Sequence, residues 1–127
     1  MIATCALLLE KNNKLFLQLR DDKPGIYGPG LWGTFGGHLD EGENPLTGLL
    51  REIKEELAYD LVDPFFLGRF IFDGYVVFAY GKVDNAIDNL VVREGQRGAF
   101  YSLEEIRQLR CTPGVQDLAE RYFSADR

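Results

Sequence analysis

The stretch Gly37 to Tyr59, GHLDEGENPLTGLLREIKEELAY, constrains this chain more than any other. Gly36 and Gly37 close a short apolar run, and an acidic loop follows. Asn44 is a good N-cap and Pro45 suits the first helical position. Leu46, Leu49, Leu50, Ile53 and Leu57 then recur at helical spacing, which predicts a helix from Pro45 to about Ala58 or Tyr59. Each helical residue turns by ~100°. With Glu52 as origin, Glu55 falls at about −60° and Glu56 at about +40°, while the five apolar residues fall between about +60° and about +160°. One side of this helix is therefore core, and the adjoining side carries three carboxylates. Like charges at this spacing repel by a few tenths of a kcal/mol. Lys54 points elsewhere on the wheel. A hard divalent cation such as Mg²⁺, which takes oxygen ligands, is the natural counter-charge. A charge run of this kind, taken alone, reads as a solvated helix face. The preceding glycines set this one apart, because glycine lets a backbone approach a ligand closely and leaves carbonyls free to join a metal's shell.

The flanking sequence predicts one α+β domain over residues 1–127. Ile2 to Leu9 and Lys14 to Arg20 form a hairpin about Lys11-Asn12-Asn13. Asp21 to Leu31, with Pro24, Gly25, Gly28, Pro29 and Gly30, is a loop. Trp32 to Gly37 is a short strand. Phe65 to Asp73 and Tyr75 to Val83 are strands joined near Asp73-Gly74, with Phe65, Phe66, Phe70, Phe72 and Phe78 mostly in the core. Leu90 to Val92 and Ala99 to Tyr101 are short strand pieces. Ser102 and Glu105 form a capping box for a helix through about Leu109. Pro113 opens a last helix through about Phe123.

Composition narrows the function. Fourteen Lys and Arg against twenty Asp and Glu leave a net charge of −6. That argues against a nucleic-acid polymer as partner, since such affinity rests on neutralising phosphates with Lys and Arg. An anionic small substrate stays open, because a bound divalent metal reverses the local field. Cys5 and Cys111 have no metal-site or disulfide-scaffold spacing, so free thiols in a cytoplasmic setting are expected. No apolar stretch approaches the ~18 residues of a membrane helix, so no membrane partner is expected. A homodimer stays open.

The same segment resembles the Nudix box, G-x5-E-x7-R-E-U-x-E-E-x-G-U, where U is a bulky aliphatic. Gly37, Glu43, Arg51, Glu52, Ile53, Glu55 and Glu56 match with no gap. Ala58 stands where the box has its second glycine, and Tyr59 where it ends on an aliphatic residue. The resemblance implies a Nudix-type α/β/α sandwich with a mixed β-sheet. It implies a Mg²⁺-dependent hydrolase, with Mn²⁺ as a substitute, acting on the pyrophosphate linkage of a nucleoside diphosphate-linked small molecule. Nucleoside triphosphates, nucleotide sugars and ADP-ribose all remain open as substrates. Glu52, Glu55 and Glu56 would ligate the metal, with the Gly37 carbonyl as a further ligand. Glu43 and Arg51 would pair to tie the loop to the helix.

Water attack on a pyrophosphate needs a base. Glu52, Glu55 and Glu56 are candidates within the box, although metal ligation lowers the basicity of each. Glu94, in Arg93-Glu94-Gly95-Gln96-Arg97-Gly98, is the candidate outside it, and MutT-like members carry a similar Glu-Gly-Gln stretch. Arg20, Lys23 and His38 are candidate phosphate contacts. Tyr27 and Trp32 either stack on a base or pack under their loop. The alternatives to an enzyme are a nucleotide-binding module without turnover and a protein adaptor. Another is an isoprenoid diphosphate isomerase on the same fold. Loss of a box carboxylate would mark the binding module, and none is lost.

Overall fold

The computed structural model describes residues 1–125, so the last two residues of the expected 1–127 domain lie outside the described residues. The chain opens with strands β1 (Ile2–Lys11) and β2 (Lys14–Leu19). Asn12 and Asn13 sit at φ 50° and 65° between them, the positive values a two-residue hairpin turn of matching twist demands. The two strands pair only at Glu10–Leu15 and Lys11–Lys14. Beyond that they part, and each takes another neighbour.

This parting divides the strand expected over Trp32 to Gly37. β3 (Trp32–Gly33) pairs with β2, whereas β4 (Phe35–His38) pairs with β1, and Thr34 is where the chain changes partner. α1 (Pro45–Leu57) follows, then β5 (Phe65–Phe72), β6 (Tyr75–Val83) and β7 (Arg97–Tyr101). β6 runs parallel to β1, β5 lies outside β6, and β7 pairs antiparallel with β2 along Leu15–Leu19. α2 (Leu103–Gln108) and α3 (Val115–Ser124) close the chain. The sheet is mixed and helices cover both faces. Cys5, Leu7, Leu9, Phe16 and Phe35 pack with Leu49, Ile53 and Leu57 of α1. Leu8, Leu15 and Leu17 pack on the other face with Ile106, Val115, Leu118 and Tyr122. The alternation along β1 and β2 is the period-2 side-chain placement of a strand covered on both sides.

Several expectations are corrected. Leu90 to Val92 is not a strand: Arg93 N–H donates to the Glu56 carbonyl at 2.8 Å, and Leu90 and Val92 pack beside the α1 core. β7 begins at Arg97 because Arg97 already pairs with Leu19. α3 starts after Gly114, an N-cap at φ 93°, so Pro113 precedes the helix. The capping box of α2 is present in both directions. Of the five phenylalanines expected mostly in the core, Phe65, Phe70 and Phe72 do pack, partly buried, against it, whereas Phe66, on the edge strand β5, is 56% exposed.

α1 is also rotated relative to expectation. Leu49, Ile53 and Leu57 are buried, but Leu46 and Leu50 remain 37% and 38% exposed. Glu56 is buried in their place, at 8% exposure. The helix leans its acidic side onto the glycine end of β4. It ends at Ala58, which takes the left-handed conformation at φ 51° and donates its N–H to Lys54 O at 3.0 Å. A Cβ in that conformation costs ~1–2 kcal/mol, part of which glycine returns as unfolded-state entropy. Ala58→Gly is therefore expected to stabilise the protein by about 0.5–1 kcal/mol, read by chemical denaturation. A destabilised variant would show that the Ala58 methyl is held by packing.

Candidate functional site

Gly36 and Gly37 serve two different contacts. A Cβ on Gly36, at φ 144°, would stand 2.1 Å from the Cys5 carbonyl oxygen, so only glycine permits the β1–β4 approach. Gly36 N–H donates to Glu56 Oε1 at 2.9 Å. A Cβ on Gly37 would fall 2.7 Å from the carboxyl carbon of Glu52. The bare strand end thus seats two carboxylates of α1 side by side. The Gly37 carbonyl accepts the Cys5 thiol at 3.6 Å.

The loop before α1 is fastened by Glu43. Its Oε1 accepts Asp40 N–H at 2.9 Å, and Arg51 grips both oxygens, Nε to Oε2 at 3.1 Å and Nη2 to Oε1 at 3.0 Å. Asn44 Oδ1 accepts Leu46 N–H at 2.9 Å, as its capping position requires. Gly48 makes the approach fit, since a Cβ there would meet Leu39 Cδ2 at 2.4 Å and Glu43 Oε1 at 3.0 Å. Its only sequence signal was an isolated glycine within a helical pattern. Arg51 also reaches Glu52 at 3.0 Å and Glu55 at 3.7 Å. Lys54 turns away to Asp60 at 2.8 Å.

Arg51→Ala is expected to lower the melting temperature as well as activity. The Glu43 side chain is 12% exposed and would lose its bidentate partner. Differential scanning calorimetry checks this. An unchanged melting temperature with lost activity would reassign Arg51 to a substrate contact.

Charge is concentrated around Glu56. Burial is the main reason its carboxyl is pushed up to about 8; the Gly36 N–H opposes this, and Glu52, Glu94 and Glu55 add repulsion. Glu52 is raised too, first by burial, against the pull of Arg51 and with repulsion from Glu55 and Glu94. Glu43 is lowered by Arg51. The structure therefore brings Glu94 into the field of the α1 carboxylates. Its loop is pinned on both sides, by Arg93 N–H to Glu56 O and Gln96 N–H to Leu19 O, both at 2.8 Å. Gln96 Nε2 also donates to the Arg20 carbonyl at 2.8 Å, a role with no sequence signal.

Two cavities flank Arg20. The smaller, about 130 Å³, includes Gln18, Arg20, Lys23 and Glu94 in its wall. Lys23 is exposed and lies 3.9 Å from Asp21. The larger, about 310 Å³, lies by Gly36, Gly37 and His38 and runs under Tyr27 and Tyr75 toward Val115 and Leu118. His38 is exposed, with its ring nearly parallel to Tyr75 at 6.2 Å. Tyr27 meets Tyr75 edge-on at 5.2 Å. Trp32 belongs to the core instead, packed edge-on to Tyr101 at 4.9 Å with Arg97 over its ring.

As the side chains stand, no group of three His, Cys, Asp or Glu among the described residues is gathered closely enough to hold a metal ion. Glu52 and Glu55 reach toward Arg51, and Glu56 toward Gly36. The donor chemistry still fits a hard cation: an all-oxygen set, two of its carboxylates partly desolvated and mutually repelling, beside a strand end without side chains. Among the described residues no helix is long and apolar enough to cross a membrane.

The fold and this site meet in one family. The family model described as NUDIX domain matches residues 1–122, and the chain belongs to that family. Among solved structures it is similar to MutT, from a study of the Aliivibrio salmonicida and Vibrio cholerae proteins. That match has 21% identity and a TM-score of 0.76, covering 94% of each chain. The Escherichia coli ORF135 protein matches at 24% identity and TM-score 0.75, covering 98% of this chain and 89% of the other. The NUDIX domain of Shewanella oneidensis NrtR, solved with ADP ribose, matches at 20% identity and TM-score 0.79, covering 97% and 86%. No curated protein matches the sequence. The family supports a hydrolase acting on phosphoanhydride bonds.

Proposed function

We propose that this chain hydrolyses the pyrophosphate linkage of a nucleoside diphosphate derivative in a Mg²⁺-dependent reaction in the cytoplasm, acting as one domain. The carboxylates clustered about buried Glu56 carry this reading. Glu52, Glu55 and Glu56, with the Gly37 carbonyl, would hold the metal, and Mn²⁺ would substitute. The bound ion supplies charge neutralisation of the phosphates and a more acidic water. Glu94 takes the proton from the attacking water, on a loop tethered at Arg93 and Gln96. Glu52 and Glu55 stand behind it as alternative bases. Arg20 contacts the substrate from its place between the two cavities. Lys23 adds a point charge and His38 a rim contact. Glu43 and Arg51 hold the loop and take no part in proton transfer. The ADP ribose complex of the NrtR domain supports a nucleotide derivative as ligand.

A screen tests this: nucleoside triphosphates, nucleotide sugars and ADP-ribose, each with Mg²⁺, Mn²⁺ or a chelator. Phosphate, pyrophosphate and nucleoside monophosphate are read separately. Turnover that the chelator abolishes is expected. Binding without turnover of any compound, with either metal, would overturn the reading in favour of a nucleotide-binding module.

A further inference from the structure

The larger cavity has a chemical bias. Among the described residues its wall contains no Asp, Glu, Asn or Gln. Arg20 is a permanent donor with no acceptor, and it is fixed in place by its Nε bond to the Tyr27 carbonyl at 2.7 Å. The Thr34 and Thr112 hydroxyls line the same space and can turn to give or accept a hydrogen bond. The Thr4 hydroxyl already donates to the Val76 carbonyl at 3.1 Å, which leaves it one role, that of a single neutral acceptor. Phe72, Val77, Val115 and Leu118 make the rest of the wall apolar. The mouth is aromatic: His38 and Tyr75 lie with their ring planes 10° apart. Tyr27 is fastened by its hydroxyl to Asp73 Oδ2 at 3.1 Å, and Asp73 itself is not part of the cavity wall. A volume of about 310 Å³ is enough for a planar base.

We propose that this cavity receives the nucleobase, stacked on Tyr75, and favours bases whose edges carry oxo groups over bases whose edges carry amino groups. The proposal rests on the nucleotide reading above and adds which nucleotides. An oxo edge meets the Arg20 donors and any hydroxyl that turns to donate. A guanine edge presents adjacent N–H groups, and the wall has no carboxylate or carboxamide to accept both. Cytosine replaces one oxo group of uracil by an amino group, which faces a cation. A buried donor left without a partner weakens binding by about tenfold or more. Two pairs isolate the effect: uridine against cytidine, and inosine against guanosine, which differs only by the 2-amino group.

The experiment has a catalytic arm and a binding arm. Steady-state kcat/KM is measured with UTP, CTP, ITP and GTP. Binding of UMP, CMP, IMP and GMP is measured by calorimetry without metal, with amide chemical shifts locating the ligand. UTP over CTP and ITP over GTP by at least ~10-fold is expected in both arms, with shifts at Val77, Val115 and Tyr75. Tyr75→Ala should raise KM for all four with a smaller change in kcat. Thr34→Asp, which supplies an acceptor, should narrow both ratios. Equal rates within each pair, or shifts that avoid the cavity, would overturn the proposal while leaving the hydrolase reading intact. Selective binding in the cavity without hydrolysis would do the reverse. The nucleotide series needs no variant, so misfolding of either one leaves the test in force.

Discussion

Replacing Glu56 by Gln should lower turnover by more than the ~10–100-fold that loss of an outer-shell metal partner costs, with the fold retained. Glutamine keeps the volume and an oxygen to accept the Gly36 N–H, so the 2.9 Å bond can persist. What it loses is the negative charge, the feature a hard cation needs. The same variant carries a second readout. The folded Glu56 carboxyl sits at about 8 against an ordinary value of 4.5. Between those values the folded state keeps a proton that the unfolded state has released. The stability this confers on metal-free protein is fully present below pH 4.5 and is lost as pH rises through about 8. At ~1.4 kcal/mol per pH unit the loss is on the order of a few kcal/mol. Glu52 is shifted in the same direction and adds to it, whereas Glu43, shifted down, acts in the acid range. Denaturation midpoints in chelator should therefore fall from pH 5.5 to 8.5 in the wild type and much less in Glu56→Gln. Saturating Mg²⁺ should reduce the fall. Parallel curves for the two proteins would show that Glu56 is ionised in the metal-free fold; near-normal activity of the variant would remove it from the metal site.

That behaviour was only half visible in the sequence. The wheel showed Glu56 next to the apolar stripe, yet burial depended on where α1 came to rest. A helical wheel gives angles within one helix and says nothing of the partner surface. Here the partner is a strand end with no side chains, and the helix leans onto it, trading Leu46 and Leu50 for Glu56. The Glu43–Arg51 pair was legible through the resemblance to the Nudix box, whose matching positions lie within one continuous segment. The parting of β1 and β2 was not, since local alternation reports side-chain faces and not strand partners. The same holds for the larger cavity. Thr4, Thr34, Tyr75 and Thr112 come from separate elements and have no local pattern to announce them. Ala58 shows the opposite case, in which a departure from a motif kept the backbone geometry and accepted the conformational cost.

Glu94→Gln is expected to reduce kcat by ~10²–10⁴-fold, with a much smaller change in KM. A base acts in the transition state, so its loss appears in turnover more than in substrate affinity. Geometry favours Glu94 for this task over the α1 glutamates. It is exposed, it stands in the wall of the cavity that also holds Arg20 and Lys23, and its loop is tied to the backbone of Glu56 itself. Carboxylates engaged by a cation are poorer bases, which leaves the task to a carboxylate brought from another loop. Raising the pH should restore part of the lost rate, because hydroxide replaces the missing base. The variant has a structural signature as well. Glu94 contributes to the upward pressure on both Glu52 and Glu56. Its neutralisation should therefore shift the pH at which metal-free protein loses stability toward lower values, without abolishing the fall. A shifted stability profile with wild-type kcat would make Glu94 an electrostatic neighbour only, and would return proton abstraction to Glu52 or Glu55. A large loss of kcat that no rise in pH relieves would place Glu94 on the metal instead.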